Sequence, residues 1–222
     1  MGDIPQVAVF DTGFHQTMPD YAYMYALPYE YYEKYGIRRY GFHGTSHRYI
    51  TLRTAAVLGK KPEELKIVTC HLGNGSSVAA VDHGKCLDTS MGLTPLEGII
   101  MGTRCGSIDP AIIPLLMEKE HLSPKEIDTI MNKKSGILGV SQTTSDNRDI
   151  ENGAKAGNKR YQLIESMLCH QLTKLIGGYA AAMGGVDAVA FAGGIGENNP
   201  HYRTRVADTV SYTHLTVPTN RE

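Results

Sequence analysis

The stretch LKIVTCHLGNGSSVAAV, residues 65–81, decides the fold. Leu65–His71 is a short apolar run that reads as a strand. It delivers the turn Gly73-Asn74-Gly75, where the backbone must bend sharply or approach a ligand closely. Ser77–Val81 and Lys85–Asp88 flank Asp82-His83-Gly84, whose turn chemistry makes them a hairpin. Working outward, Val186–Phe191 reads as a further buried strand running into Gly193-Gly194-Ile195-Gly196. Gln6–Phe10 (QVAVF) reads as another, ending at Asp11.

Between these runs the pattern is helical. Thr45 or Ser46 is placed to cap a helix reaching about Leu58, ended by Gly59 and Pro62. Pro110–Glu120 reads as a helix with proline at its start. Ser123-Pro124-Lys125-Glu126 is a capping box that opens a helix to about Lys133. Residues 158–183 carry the longest helical pattern, with Leu163, Met167, Leu168, Leu172, Leu175 and Ile176 on one stripe. Pro200–Ala207 reads as a further helix. Residues 20–35 hold many tyrosines without clean periodicity and read as irregular, with a short helix near the end. Strands, a hairpin and crossing helices together indicate an α/β domain.

The 222 residues are 41% apolar and 20% charged, which suits a buried core. A net charge of −1 without a Lys/Arg run argues against nucleic acid or a membrane surface as partner. No apolar stretch reaches spanning length and no signal peptide stands at the start, so the expected location is cytoplasmic. Cys70, Cys86, Cys105 and Cys169 show no metal-ligand spacing and read as reduced core cysteines.

Many of the glycines fall in four short clusters that follow or flank strands. Backbone N–H groups around His71–Ser77 can form an anion nest, with Asn74, Ser76 and Ser77 as neutral donors, or simply a hairpin turn. Ala192–Asn198 is neither a Walker loop nor a full dinucleotide fingerprint, yet its setting suits a phosphate cradle as well as a tight turn. Arg104 lies between two glycines, with room for its guanidinium fork to reach phosphoryl oxygens. His43 and His47, four apart, lack a third metal ligand nearby, so a donor histidine facing an anion is the better functional reading. Asp11 stands at a strand end, where functional groups collect in α/β sheets, or else caps a turn.

VAVFDTGFHQTMP, YGFHGTSHRY, HLGNGSSVAAV, DTSMGLTPLEGIIMGTRCGSIDP and FAGGIGENNP resemble, in order, the signature segments of the acetate kinase family, over about residues 3–207. The resemblance implies an incomplete ribonuclease-H-like domain of the actin, sugar kinase and heat-shock ATPase group. It implies ATP-dependent phosphorylation of acetate to acetyl phosphate by direct in-line transfer, with Mg²⁺, in a cytoplasmic homodimer. Propionate or butyrate kinase, and an actin-like ATP-binding module without catalysis, are the alternatives. Asp11, His43 and Arg104 match catalytic positions. His71, Leu72, Gly73, Asn74 and Gly75 match an ATP-binding loop. Asp146, Asn147 and Arg148 match another, as do Gly194, Ile195, Gly196, Glu197 and Asn198. The family pattern also implies that sequence is missing at both ends, so the isolated chain is expected to be inactive. Residues 1–209 are expected to be mostly the nucleotide-binding domain, and 210–222 a tail foreign to the family.

Overall fold

The computed structural model describes residues 4–211, and the remainder of the expected tail, 212–222, lies outside them. In chain order the elements are α1 (Asp20–Tyr23), α2 (Glu30–Tyr35), α3 (Gly44–Val57), β1 (Lys66–Leu72), β2 (Ser76–Asp82), β3 (Lys85–Thr89), α4 (Ile112–Lys119) and α5 (Pro124–Lys133). They continue with α6 (Gly136–Ser141), α7 (Asn147–Lys155), α8 (Lys159–Ala182), β4 (Ala188–Ala192), α9 (Gly193–Asn198) and α10 (Pro200–Ser211).

The four strands form one sheet in the order β3-β2-β1-β4. β1 is antiparallel to β2, with Thr69 opposite Ala79 and His71 opposite Ser77. It is parallel to β4, with Cys70 opposite Phe191. The β2–β3 turn has His83 and Gly84 both at positive φ (50° and 78°), the mirror-image turn that matches strand twist.

Alternation along β1 divides its side chains between two layers. Val68, Cys70 and Leu72 join Val78 and Ala80 of β2 against Ile164, Leu168, Leu172 and Ile176 of α8. Ile67 and Val81 pack instead with Ala55 of α3 on the opposite face. Thr69 and His71 share that second face by the same period, which places polar groups beside α3.

The capping box is present, with Glu126 N–H donating to Ser123 Oγ at 3.3 Å and Ser123 N–H to Glu126 Oε2 at 2.8 Å. Five expectations need correcting. Gln6–Phe10 is not a strand: it pairs with none of the described strands, and Val7, Val9 and Phe10 are exposed. Neither Thr45 nor Ser46 caps α3, because the helix starts at Gly44 with left-handed His43 as its boundary residue. Leu163 is 52% exposed, and the buried stripe of α8 runs through Ile164 instead. The Gly193–Gly196 turn is helical, opening α9, and α10 continues to Ser211 with Val210 packed in the core. Among the described residues no helix is long and apolar enough to cross a membrane.

Candidate active site

His43 holds φ 58° and ψ 25°, a left-handed conformation that an L-residue adopts at a cost of about 1–2 kcal/mol. Asp11 secures it twice. Its carboxylate Oδ2 accepts from the His43 N–H at 2.8 Å, and its backbone carbonyl accepts from the Gly44 N–H at 2.8 Å. Asp11 thus anchors the start of α3, and its side chain makes no bond to Arg104 among the described residues.

The His43 ring is set from behind, where Nδ1 lies 2.8 Å from Ser77 Oγ. Its Nε2 faces the Gly73–Gly75 turn. A methyl group built on Gly75 would sit 3.2 Å from Arg104 Nη1 and 3.5 Å from His43 Nε2, so the two side chains address one point beside bare backbone. Arg104 is half-buried and donates through Nη1 to the Pro95 carbonyl at 3.1 Å. Its loop is tied down by Gly102 N–H donating to Asn74 O (3.0 Å), Ser135 N–H to Thr103 O (3.0 Å) and Ile137 N–H to Met101 O (2.8 Å).

Four imidazoles cluster here, with the His43 and His71 ring centres 4.2 Å apart. Burial, reinforced by the neighbouring His71, pushes the His43 pKa down to about 4. Burial also lowers His15 and His71, and holds His47 well below its ordinary range. At neutral pH His43 therefore acts as a neutral hydrogen-bonding group and not as a cation.

The parallel pairing of β1 with β4 sets their terminal turns side by side. Gly193 (φ 78°) is pressed against β1, where a Cβ would come within 2.6 Å of the Leu72 carbonyl. Beyond these turns opens a cleft of about 780 Å³ lined by Gly73, Asn74, Asp146, Asn147, Arg148, Gly194, Ile195 and Asn198. Asp146 accepts from the Arg148 N–H at 2.8 Å at the start of α7, and pairs with Arg148 Nη2 at 2.6 Å.

The structure thus draws three expected loops to one cleft, but not every residue of each. Leu72 is buried in the core, because strand alternation turns it towards α8. His71 faces α3, bonding Ser46 Oγ through Nδ1 at 2.8 Å, and shares a separate groove with Glu197. Gly196 is buried against Phe191 and Leu72, and Gly75 faces His43 and Arg104. Ser145, Glu151 and Asn199 line the cleft without having been anticipated. Asn199 could have been found, since Asn before Pro200 is a helix-start signal, and its Oδ1 accepts from the Tyr202 N–H at 3.1 Å. His15 and Thr69 carried no local signal.

A four-stranded mixed sheet has glycine turns at the ends of its parallel pair that close on one cleft, the arrangement of an α/β domain that holds a small ligand, and the solved structures it superposes on are actin-like kinases. Comparison narrows this. The Acetokinase family model matches residues 1–222, and the chain belongs to that family. It is 61% identical over 212 residues to the acetate kinase of Halothermothrix orenii, covering 96% of this chain and 53% of that protein. It is 60% identical over 206 residues to that of Methanosarcina acetivorans, covering 93% and 50%. Among solved structures, Porphyromonas gingivalis acetate kinase superposes with a TM-score of 0.90 at 50% identity, covering 92% of this chain and 51% of that one. A propionate kinase from Francisella tularensis gives 0.90 at 42% identity, covering 95% and 54%. The chain spans about half the length of the curated relatives it matches.

Proposed function

We propose that this chain is the nucleotide-holding part of an ATP-dependent acetate kinase, forming acetyl phosphate reversibly. The observation that carries this reading is the convergence of His43 and Arg104 on the bare Gly75 backbone, next to the cleft lined by Gly73, Asn74 and Gly194. A nucleotide lying in that cleft, its terminal phosphate towards Gly75, meets both side chains at the transferring group.

Acetate is ionised at neutral pH, so its oxygen needs no base to attack. The obstacle is repulsion between two anions, and donors aimed at the phosphoryl oxygens lower it. The acetate oxygen bonds to the γ-phosphorus as the bond to the bridging oxygen breaks, and the electron pair leaves on ADP. Arg104 contributes a charged fork and His43 a neutral donor. Mg²⁺ accompanies the nucleotide in this reading. The described residues contain no group of three side chains that would hold a metal alone, and no step here is routed through it.

The experiment is to assay the full-length protein containing this sequence with ATP, Mg²⁺ and acetate, propionate or butyrate. Acetyl phosphate formation with the highest kcat/KM for acetate supports the proposal. Preference for propionate, the substrate named for the Francisella relative, moves the assignment to the longer acid, and nucleotide binding without transfer to any acid overturns it. The same reading makes the whole enzyme a cytoplasmic homodimer, which sedimentation of the full-length protein checks.

A further inference from the structure

Behind His43 stands a file of hydrogen-bonding groups that phosphoryl transfer does not itself employ. His43 Nδ1 lies 2.8 Å from Ser77 Oγ. Ser77 Oγ lies 2.7 Å from His47 Nε2, and His47 Nδ1 lies 2.7 Å from Thr69 Oγ1. Ser77, His47 and Thr69 are all fully buried, so solvent does not compete for these bonds.

A serine hydroxyl carries one proton. For both of its bonds to neutral imidazoles to form with that proton used, one nitrogen must be bare and the other protonated. The file therefore runs in one direction or the other. Thr69 decides which. Its hydroxyl can donate to His47 Nδ1 at 2.7 Å or to the Ala79 carbonyl at 3.5 Å, and the longer contact is at the limit where a hydroxyl bond fails. Thr69 therefore donates to His47, His47 Nε2–H donates to Ser77, and Ser77 donates to His43 Nδ1. The proton of His43 is left on Nε2, the nitrogen facing Gly75 and Arg104.

We propose that Thr69, His47 and Ser77 are positioning residues that fix His43 as the Nε2–H tautomer, presenting a donor to an anionic oxygen. The identity of that oxygen rests on the function proposed above, while the tautomer does not. The reverse order would point a bare nitrogen lone pair at an anion. The other groups around the file do not interrupt it. His15 is held by the Phe42 carbonyl and Cys86, His71 by Ser46, and the Asp11 carboxylate bonds the His43 backbone N–H and not its ring.

The test is long-range ¹H–¹⁵N correlation on the ¹⁵N-histidine-labelled chain near pH 7. The expected spectrum shows Nε2 protonated and Nδ1 bare on both His43 and His47, each Nδ1 displaced from the free-imidazole shift by an accepted hydrogen bond. A proton on Nδ1 of either ring, or an undisplaced Nδ1, overturns the proposal. Thr69→Val, which frees the file to run either way, should then weaken the His43 Nδ1 displacement and bring up the Nδ1–H form beside the native one, although the residue 69 hydroxyl bonds His47 and not His43, while Thr69→Ser keeps the native pattern. An unaltered His43 spectrum in folded Thr69→Val also overturns it. Should that variant not fold, the wild-type shifts decide alone. A correct tautomer pattern in a protein that phosphorylates no carboxylate would sink the proposed function and leave the file standing.

Discussion

Asp11→Ala separates an anchoring aspartate from one that takes part in the reaction. The substitution removes the 2.8 Å bond from the His43 N–H and leaves the backbone bond to Gly44 intact. A lost side-chain cap costs about 0.5–2 kcal/mol, and at this exposed position about 1 kcal/mol is expected. For a chain of this size that is roughly 2–4 °C in Tm. The effect on rate should be larger than the effect on stability. His43 sits in a left-handed conformation that favours relaxation once released, and a displacement of about 1 Å in a reacting group can cost on the order of 100-fold. Thermal unfolding of the chain and steady-state kinetics of the full-length protein therefore give a small Tm shift beside a fall of about 10–100-fold in kcat. Asp11→Asn, which keeps an acceptor oxygen, should recover most of both. An Asn variant with native Tm but kcat as poor as Ala would refute the anchoring role and place the charge itself in the chemistry.

Arg104→Ala in the full-length protein should lower kcat by orders of magnitude with little change in ATP affinity, and lysine should rescue poorly because it lacks the fork; near-normal kcat would refute the assignment. Gly136→Ala should destabilise the chain by about 2–4 kcal/mol in urea titration, since Gly136 has φ 63° and a Cβ there would overlap the Met101 carbonyl and lie 2.6 Å from that of Arg104. An unchanged midpoint would show that the loop yields freely. Acid should weaken the fold before ordinary carboxylates titrate. Unfolded His43 takes up a proton near 6.5 and folded His43 only near 4, so stability is full above about pH 6.5 and is lost as pH falls towards 4. His15, His47 and His71 act in the same direction. A Tm that stays flat from pH 7 to about pH 4.5 would contradict this.

Elements whose stabilising groups lie close in sequence were legible. The capping box of α5, the His83-Gly84 hairpin and the long helix α8 each carry their own local cause. Gln6–Phe10 misled because an apolar run becomes a strand only through a partner, and the described residues offer it none. α9 was hidden by its glycines, which disfavour helix locally and are overridden by packing of Gly196 on Phe191. In the site, the glycine loops pointed to Gly73, Asn74 and Gly194, which line the cleft. They could not separate these from His71, Leu72 and Glu197, because that division follows strand and helix faces rather than motif membership. Thr69 and Ser77 gain their meaning only from the antiparallel register that sets them on the His47 side.

That register joins the stability of the sheet to the aim of the site. With Cys70 opposite Val78 and Thr69 opposite Ala79, the apolar members of β1 and β2 meet α8 while Thr69, His71 and Ser77 meet α3. A slip of β1 by one residue would turn Thr69 and His71 towards Ile164 and Leu168, and would deprive His47 of the Thr69 hydroxyl. Burying those polar groups unpaired would cost about 1–3 kcal/mol each, and the apolar packing of β1 against α8 would be given up as well. Because both faces of β1 are covered by different chemistry, only one register satisfies both. The same register holds the Gly73-Asn74-Gly75 turn beside β4 and opposite Arg104, so the energy that selects the core also fixes where His43 and Arg104 converge.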